Sequence, residues 1–302
     1  MTTDKTISSA LLIGFPDCEA QAQSVAKRGG LNYASLALRR FPDGESYVRL
    51  PAQLPDHVIF HCSMHHANDK LVELLLAART ARRNGAKRIS LLAPYLCYMR
   101  QDEAFHEGEA ISQTIVGELL AQHFDDLLTI DPHLHRTPTL SQAMPVKNAH
   151  TLTAAGLISE FLKTHLDAAP LILGPDAESE QWAKAIAAPQ GLDYSIATKT
   201  RFGDRDVNVD MPQVDVNDRI VVIIDDISSS GHTLAQAALQ IKDQGARHIY
   251  AVVTHAMLDD ASMQNLRAAG IEKVWSTDTI PHHTNAITVE SVLADAIVNY
   301  LS

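Results

Sequence analysis

Arg219-Ile-Val-Val-Ile-Ile-Asp-Asp-Ile-Ser-Ser-Ser-Gly-His-Thr233 is the stretch whose reading decides the fold. A run of apolar, mostly β-branched residues leads into two adjacent carboxylates, Asp225 and Asp226, then into a small hydroxyl-rich turn. An unbroken apolar run of this length predicts a parallel strand buried on both faces. In an open α/β sheet such a strand delivers its following loop to the carboxyl edge, where ligands bind. Carboxylates accept hydrogen bonds from sugar hydroxyls. A turn of Ser228, Ser229, Ser230, Gly231, His232 and Thr233 at the start of a helix presents N–H groups and hydroxyls to a phosphate. The combination predicts a ribose-phosphate ligand.

The same punctuation runs through the chain. Apolar runs at Leu11–Phe15, His57–Cys62, Arg88–Ala93, Asp126–Ile130, Leu171–Leu173, His248–Thr254 and Lys273–Ser276 alternate with helical periodicities. The predicted helices include Asn68–Asn84, Ile111–Gln122, Ala154–His165, Thr233–Gln244 and Glu290–Leu301. Alternating strands and helices predict βαβ units and a mainly parallel sheet flanked by helices. The order strand, charged loop, helix, strand, acidic loop occurs twice. That predicts two similar α/β domains, residues 1–148 and 149–302, with the final helix packing back on the first. Polar loops that follow apolar strands are the binding candidates: Tyr98–Asp102, Asp131–His133, Gly174–Asp176, Lys199–Arg201 and Asp225–Thr233. Arg40–Arg49 is predicted to be a hairpin turning at Asp43-Gly44, which offers Phe41 to a base and Asp43 or Glu45 to its exocyclic amine.

Bulk properties exclude other classes. The chain has 302 residues, 46% hydrophobic and 20% charged, enough for two cores. A formal net charge of −11 argues against a nucleic-acid backbone partner. Three scattered cysteines, Cys18, Cys62 and Cys97, imply no disulfide framework and fit a reducing cytoplasm. No apolar run approaches a membrane span. The histidine pairs His65-His66 and His282-His283 are adjacent, so they do not share a face of a helix or strand, and they read as loop packing.

The ordered set of Phe-x-Asp-Gly-Glu45, Pro94-Tyr-x-x-Tyr-x-Arg-Gln-Asp102, Gly108-Glu-Ala-Ile-Ser112, Asp-x-His133, Pro-Asp176 and Asp-Asp-Ile-Ser-Ser-Ser-Gly-His-Thr233 resembles the ribose-phosphate pyrophosphokinases, in spelling closest to their archaeal-type branch. The resemblance runs from about residue 10 to beyond residue 255 and implies two phosphoribosyltransferase-like domains. It implies ATP and ribose 5-phosphate as substrates, phosphoribosyl pyrophosphate and AMP as products, and Mg2+ as cofactor. It places Phe41, Asp43, Glu45, Arg100, Gln101, Asp102 and His133 at ATP, and His133 and Asp176 at the metal. Lys199 and Arg201 fall on a mobile catalytic loop, and Asp225, Asp226 and Ser228–Thr233 surround ribose 5-phosphate. It also implies a homo-oligomer, a dimer or an assembly of dimers. A non-catalytic associated subunit and a phosphoribosyltransferase are the alternatives. His232 departs from the family, where many relatives carry glycine; with φ > 0 it would be strained.

Overall fold

The computed structural model describes residues 10–201, 207–210 and 215–301. The chain divides into two compact units, Met1–Leu152 with Glu290–Ser302, and Thr153–Val289. Each is built on a six-stranded parallel sheet.

In the first unit the strands lie in the spatial order Asn32–Ser35, Ala10–Gly14, His57–His61, Arg88–Ala93, Asp126–Ile130, Asn148–Leu152. In the second the order is Tyr194–Ile196, Leu171–Gly174, Ile220–Ser228, His248–Ala256, Lys273–Thr277, Asn285–Ile287. Both chains step outward once, return past their first strand, and then progress to the far edge. This doubly wound pattern leaves a crevice at the carboxyl ends of the two strands flanking the reversal. In the first unit those strands are Ala10–Gly14 and His57–His61; in the second they are Leu171–Gly174 and Ile220–Ser228.

The apolar runs are central because both their faces are covered. Ile59, Phe60, Ile89, Leu91, Val221 and Ile223 are fully buried, and each such side chain contributes roughly 1.5–3 kcal/mol by leaving water. In the second unit Leu234, Ala237, Ala238 and Ile241 of the His232–Asp243 helix pack with Leu171, Val221 and Ala251 in one core cluster.

The edges were harder to read from sequence. Asn148–Leu152 is a sixth strand of the first sheet and lies across the boundary drawn at residue 148, because its polar spelling marks a half-covered edge. The predicted strand Leu31–Ala37 divides into Asn32–Ser35, which joins the sheet, and Ala37–Arg40, which turns away to pair antiparallel with Ser46–Arg49. The helix Glu19–Arg28 was not predicted, since it buries only small or short side chains, Ala22, Val25 and Ala26.

The last helix, Glu290–Tyr300, packs on Glu19–Arg28 within the first unit. Arg88 holds its end: the guanidinium donates to the carbonyls of Leu301 at 3.2 Å and Tyr300 at 3.4 Å. The same guanidinium grips the buried Asp126 carboxylate at 2.8 and 3.1 Å. Ser90 and Asn148 donate to that carboxylate as well, each at 2.6 Å. Tyr300 stacks on His150 with ring centroids 4.1 Å apart. Among the described residues no helix is long and apolar enough to cross a membrane.

Candidate active-site loops

In the second unit, strand Ile220–Ser228 continues past the apolar run through both carboxylates. Asp225 and Asp226 therefore sit at the carboxyl end of a central strand, with Asp226 almost fully buried. Each carboxylate accepts from the next backbone N–H, Asp225 from Asp226 at 3.0 Å and Asp226 from Ile227 at 2.8 Å. The Asp225 carboxyl is pushed well above the usual carboxylate range, first by burial, then by the neighbouring charges of Asp226 and Asp176. Such an acidic corner favours a ligand that brings positive charge or hydroxyl donors.

Asp176 follows the adjacent strand Leu171–Gly174. One of its oxygens accepts from the N–H groups of Glu178 at 3.2 Å and Ser179 at 3.3 Å, and the Ser179 hydroxyl reaches back to the Asp176 carbonyl at 2.5 Å. This reciprocal cap holds the carboxylate at the crevice. Ser179 thus serves the turn with both its N–H and its hydroxyl.

The turn at Ser228–Thr233 places the left-handed backbone beside His232, not on it. The left-handed residue is Gly231, at φ 67°, and His232 is the first helical residue, its side chain exposed. The strain falls on the residue without a Cβ. The cap residue Gly231 has no side chain to offer this helix, and the Ser230 hydroxyl accepts from the His232 N–H at 3.4 Å; the other first-turn N–H groups are of the kind that suits an anion. Ser229, Ser230 and His232 are exposed around it, Thr233 half-buried and Ser228 buried.

In the first unit, Phe41–Glu45 caps the Ala37–Arg40/Ser46–Arg49 hairpin. Phe41 N–H donates to the Glu45 carbonyl at 2.8 Å, Gly44 N–H to the Phe41 carbonyl at 2.9 Å, and Asp43 accepts from Glu45 N–H at 3.1 Å. Arg39 lies 4.5 Å from the Phe41 ring centroid and 4.3 Å from that of Tyr47. Phe41, 37% exposed, is thus offered on a cation-backed platform.

Loops 98–102 and 131–137 are tied together. The Asp102 side chain is 1% exposed and accepts from Arg136 twice, from the backbone N–H at 2.9 Å and from the guanidinium at 3.0 Å. The buried Gln113 donates to the Met99 carbonyl at 3.2 Å and accepts from the Thr137 hydroxyl at 2.6 Å. Asp102 therefore organises the loops, whereas Arg100 is exposed and Gln101 is half-buried. Sequence reasoning missed Arg136 and Gln113. Gln113 is the second residue of the helix that begins at the quoted Ser112, but only the fold brings it against both loops. Tyr98 at φ 60° and Asp131 at φ 37° carry backbone strain at the same two strand ends, where such strain clusters at ligand-holding sites. His133 is half-buried, with its ring centroid 6.2 Å from that of His135.

Lys199 and Arg201 belong to strand Thr198–Arg201, which pairs antiparallel with Val207–Asp210. Their side chains lie outside the described residues, as do Gly203 and Asp204 entirely.

Among the described residues no group of three His, Cys, Asp or Glu side chains is arranged to hold a metal alone. The oxygen donors Asp176 and Asp225 nevertheless fit Mg2+, which keeps several waters and needs only one or two carboxylates beside substrate oxygens. Burial first, and then the charges of Asp226 and Asp176, raise the Asp225 carboxyl.

Two doubly wound parallel sheets, one ending in an acidic corner beside a helix N-terminus, define a protein of tandem phosphoribosyltransferase-like units. Comparison with known proteins narrows this. The family profile for the N-terminal domain of ribose phosphate pyrophosphokinase matches residues 11–123, and that for the phosphoribosyl synthetase-associated domain matches residues 178–299. A ribose-phosphate pyrophosphokinase of Methanopyrus kandleri is 34% identical over 86% of this chain and 89% of its own. One from Thermoplasma acidophilum is 30% identical over 95% and 98%. The crystal structure of phosphoribosylpyrophosphate synthetase from Mycobacterium smegmatis superposes with a TM-score of 0.82 at 25% identity, covering 96% of this chain and 98% of that one. The chain belongs to the ribose-phosphate pyrophosphokinase family.

Proposed function

We propose that this chain transfers the β,γ-diphosphoryl group of ATP to the anomeric hydroxyl of ribose 5-phosphate, releasing AMP and phosphoribosyl pyrophosphate. The observation that carries the reading is the acidic corner of Asp225 and Asp226 running into a helix N-terminus, in a chain of this family. Ser228–Thr233 would seat the 5-phosphate on the first-turn N–H groups of the helix. Asp225 and Asp226 would hold the ribose hydroxyls.

On the nucleotide side, Phe41 would stack on adenine, with Asp43 and Glu45 at its exocyclic amine. Arg100 and Gln101 would meet the nucleotide from loop 98–102, which Asp102 and Gln113 hold in place, and His133 would approach the phosphates. Transfer requires the anomeric oxygen in line with the β-phosphorus and charge relief on the bridging oxygens. Lys199 and Arg201 are assigned that relief, as cations acting chiefly in the transition state. Asp176 in the second unit and His133 in the first are the proposed Mg2+ contacts, each toward the ion that its own unit's ligand brings, and Mg2+ would supply charge neutralisation on the ATP oxygens when bound.

The exposed Phe41 hairpin, together with exposed Val72, Leu76 and Ile115, supports a homo-oligomer built from dimers. The cytoplasm is the proposed location. The test is AMP and phosphoribosyl pyrophosphate formation from ATP and ribose 5-phosphate with magnesium. No AMP at any magnesium concentration would sink the proposal. Lys199→Ala is expected to lose turnover while keeping nucleotide affinity.

A further inference from the structure

The two units build the same corner of the same sheet differently. In each, one strand beside the crevice ends in glycine and turns into an aspartate: Gly14-Phe-Pro-Asp17 in the first unit, Gly174-Pro-Asp176 in the second. In each, the neighbouring strand leads to a helix capped by a left-handed residue, His66 at φ 55° and Gly231 at φ 67°. Neither cap residue makes a side-chain bond to its helix. Counting from those caps, the fourth helical residue is Lys70 in Ala67–Arg83 and Ala235 in His232–Asp243.

That one position separates the corners. Ala235 is a methyl group packed against the second unit's core. Lys70 is 6% exposed, and its ammonium donates to the Asp17 carboxylate and the Ser63 carbonyl. The His65 ring lies alongside, Nδ1 at 3.2 Å from the ammonium and Nε2 at 3.2 Å from the Asp17 carboxylate. An ammonium has three protons and no acceptor, so a carboxylate, a carbonyl and an imidazole satisfy it in a place where an unpaired charge would be costly. In the second unit the charges pressing on Asp225 are other carboxylates, Asp226 and Asp176, so positive charge has to arrive with the ligand. In the first unit it is part of the chain.

We propose that the Lys70 ammonium is a built-in counter-ion that fills the cation place in the first unit's copy of this corner. The comparison with the second unit rests on the reading of the Asp225–Thr233 loop; the counter-ion itself does not. Removing the ammonium leaves a carboxylate, a carbonyl oxygen and an imidazole around the space it filled. That set suits a divalent ion of intermediate hardness such as Mn2+. Cys18 beside it remains a thiol, since burial pushes it up to about 11, so the donors are oxygen and nitrogen only.

The experiment counts bound Mn2+ by electron paramagnetic resonance of the free ion, without nucleotide or sugar. Lys70→Ala is expected to gain one site per chain over the wild type, and to lose it when Asp17→Asn is added or when methylammonium is supplied in excess. Lys70→Met, which refills the space without charge, is expected to gain none. Equal Mn2+ counts in wild type and folded Lys70→Ala overturn the proposal. Should Lys70→Ala not fold, Lys70→Ser decides by the same count: a gained Mn2+ site that Asp17→Asn abolishes supports the proposal, and a count equal to the wild type overturns it. Ribose 5-phosphate titration tests the reading of the second unit separately, and its failure would leave the Mn2+ comparison standing.

Discussion

Gly231→Ala tests the phosphate turn at its most constrained residue. Gly231 sits at φ 67° and caps the helix that begins at His232. An L-residue held there costs roughly 1–2 kcal/mol in backbone sterics. The added Cβ would also lie 3.1 Å from Cγ and Cδ2 of Leu266 and 3.2 Å from Cδ2 of Leu258. Both leucines are core residues, 0% and 3% exposed, with nowhere to retreat, and such overpacking adds about 1 kcal/mol. The turn can escape about 2–3 kcal/mol of strain only by changing φ, which swings the first-turn N–H groups off the phosphate. Because binding requires the native turn, that strain appears as about thirtyfold to a hundredfold weaker ribose 5-phosphate binding, at about 1.4 kcal/mol per tenfold. The assay is steady-state kinetics with each substrate varied in turn: KM for ribose 5-phosphate rises by that factor, and KM for ATP changes little. An unchanged ribose 5-phosphate KM in a folded variant would refute the assignment of this turn to the phosphate. His232→Gly, by contrast, is expected to leave the ribose 5-phosphate KM nearly unchanged, since the left-handed conformation is not on that residue.

Three further outcomes follow from the first unit. Arg88→Ala strands the buried Asp126 carboxylate; such losses commonly cost 3–5 kcal/mol. As Arg88 is itself 33% exposed, about 2–3 kcal/mol is expected after screening, a melting drop of about 4–10 °C, and a shift within a degree would contradict the clamp. Gln113→Leu unties loops 98–102 and 131–137 and should raise KM for ATP several-fold while sparing that for ribose 5-phosphate; equal effects on both would mark a general folding defect. Burial lowers His57 to about 4, with Arg88 adding to the effect, and burial lowers His61 to about 3. The unfolded chain takes up these protons near pH 6.5 and the folded chain does not. Their stabilisation is therefore complete above about pH 6.5 and is lost as pH falls toward those values. Urea midpoints should fall from pH 7 to pH 4.5, less steeply in His57→Gln; an identical slope in that variant counts against the assignment.

Reading the sequence succeeded where one local pattern sufficed. The run Ile220–Ile224 could only be a strand covered on both faces, and it is central in its sheet. Asp43-Gly44 announced a hairpin, and the hairpin is there with Gly44 at φ 93°. Edges escaped because half-covered strands such as Asn148–Leu152 carry weak alternation. Helix Glu19–Arg28 escaped because its buried face is mostly alanine. Asp102 stands out in its motif, but its partner Arg136 lies 34 positions away in sequence, and no spacing rule connects them.

Family and two-unit plan were legible in the sequence alone, because they rest on short motifs at the ends of apolar runs. Tertiary structure decided three things. It assigned the strain of the phosphate turn to Gly231 and relieved His232 of it. It showed that Asp102 ties two loops together through Arg136. And it revealed that Lys70, unremarked in an amphipathic helix, sits at the position that Ala235 holds in the other unit. These are facts about which atoms meet across long separations in the chain, and hydrogen bonds and buried charges are settled only when the packed fold brings such atoms together.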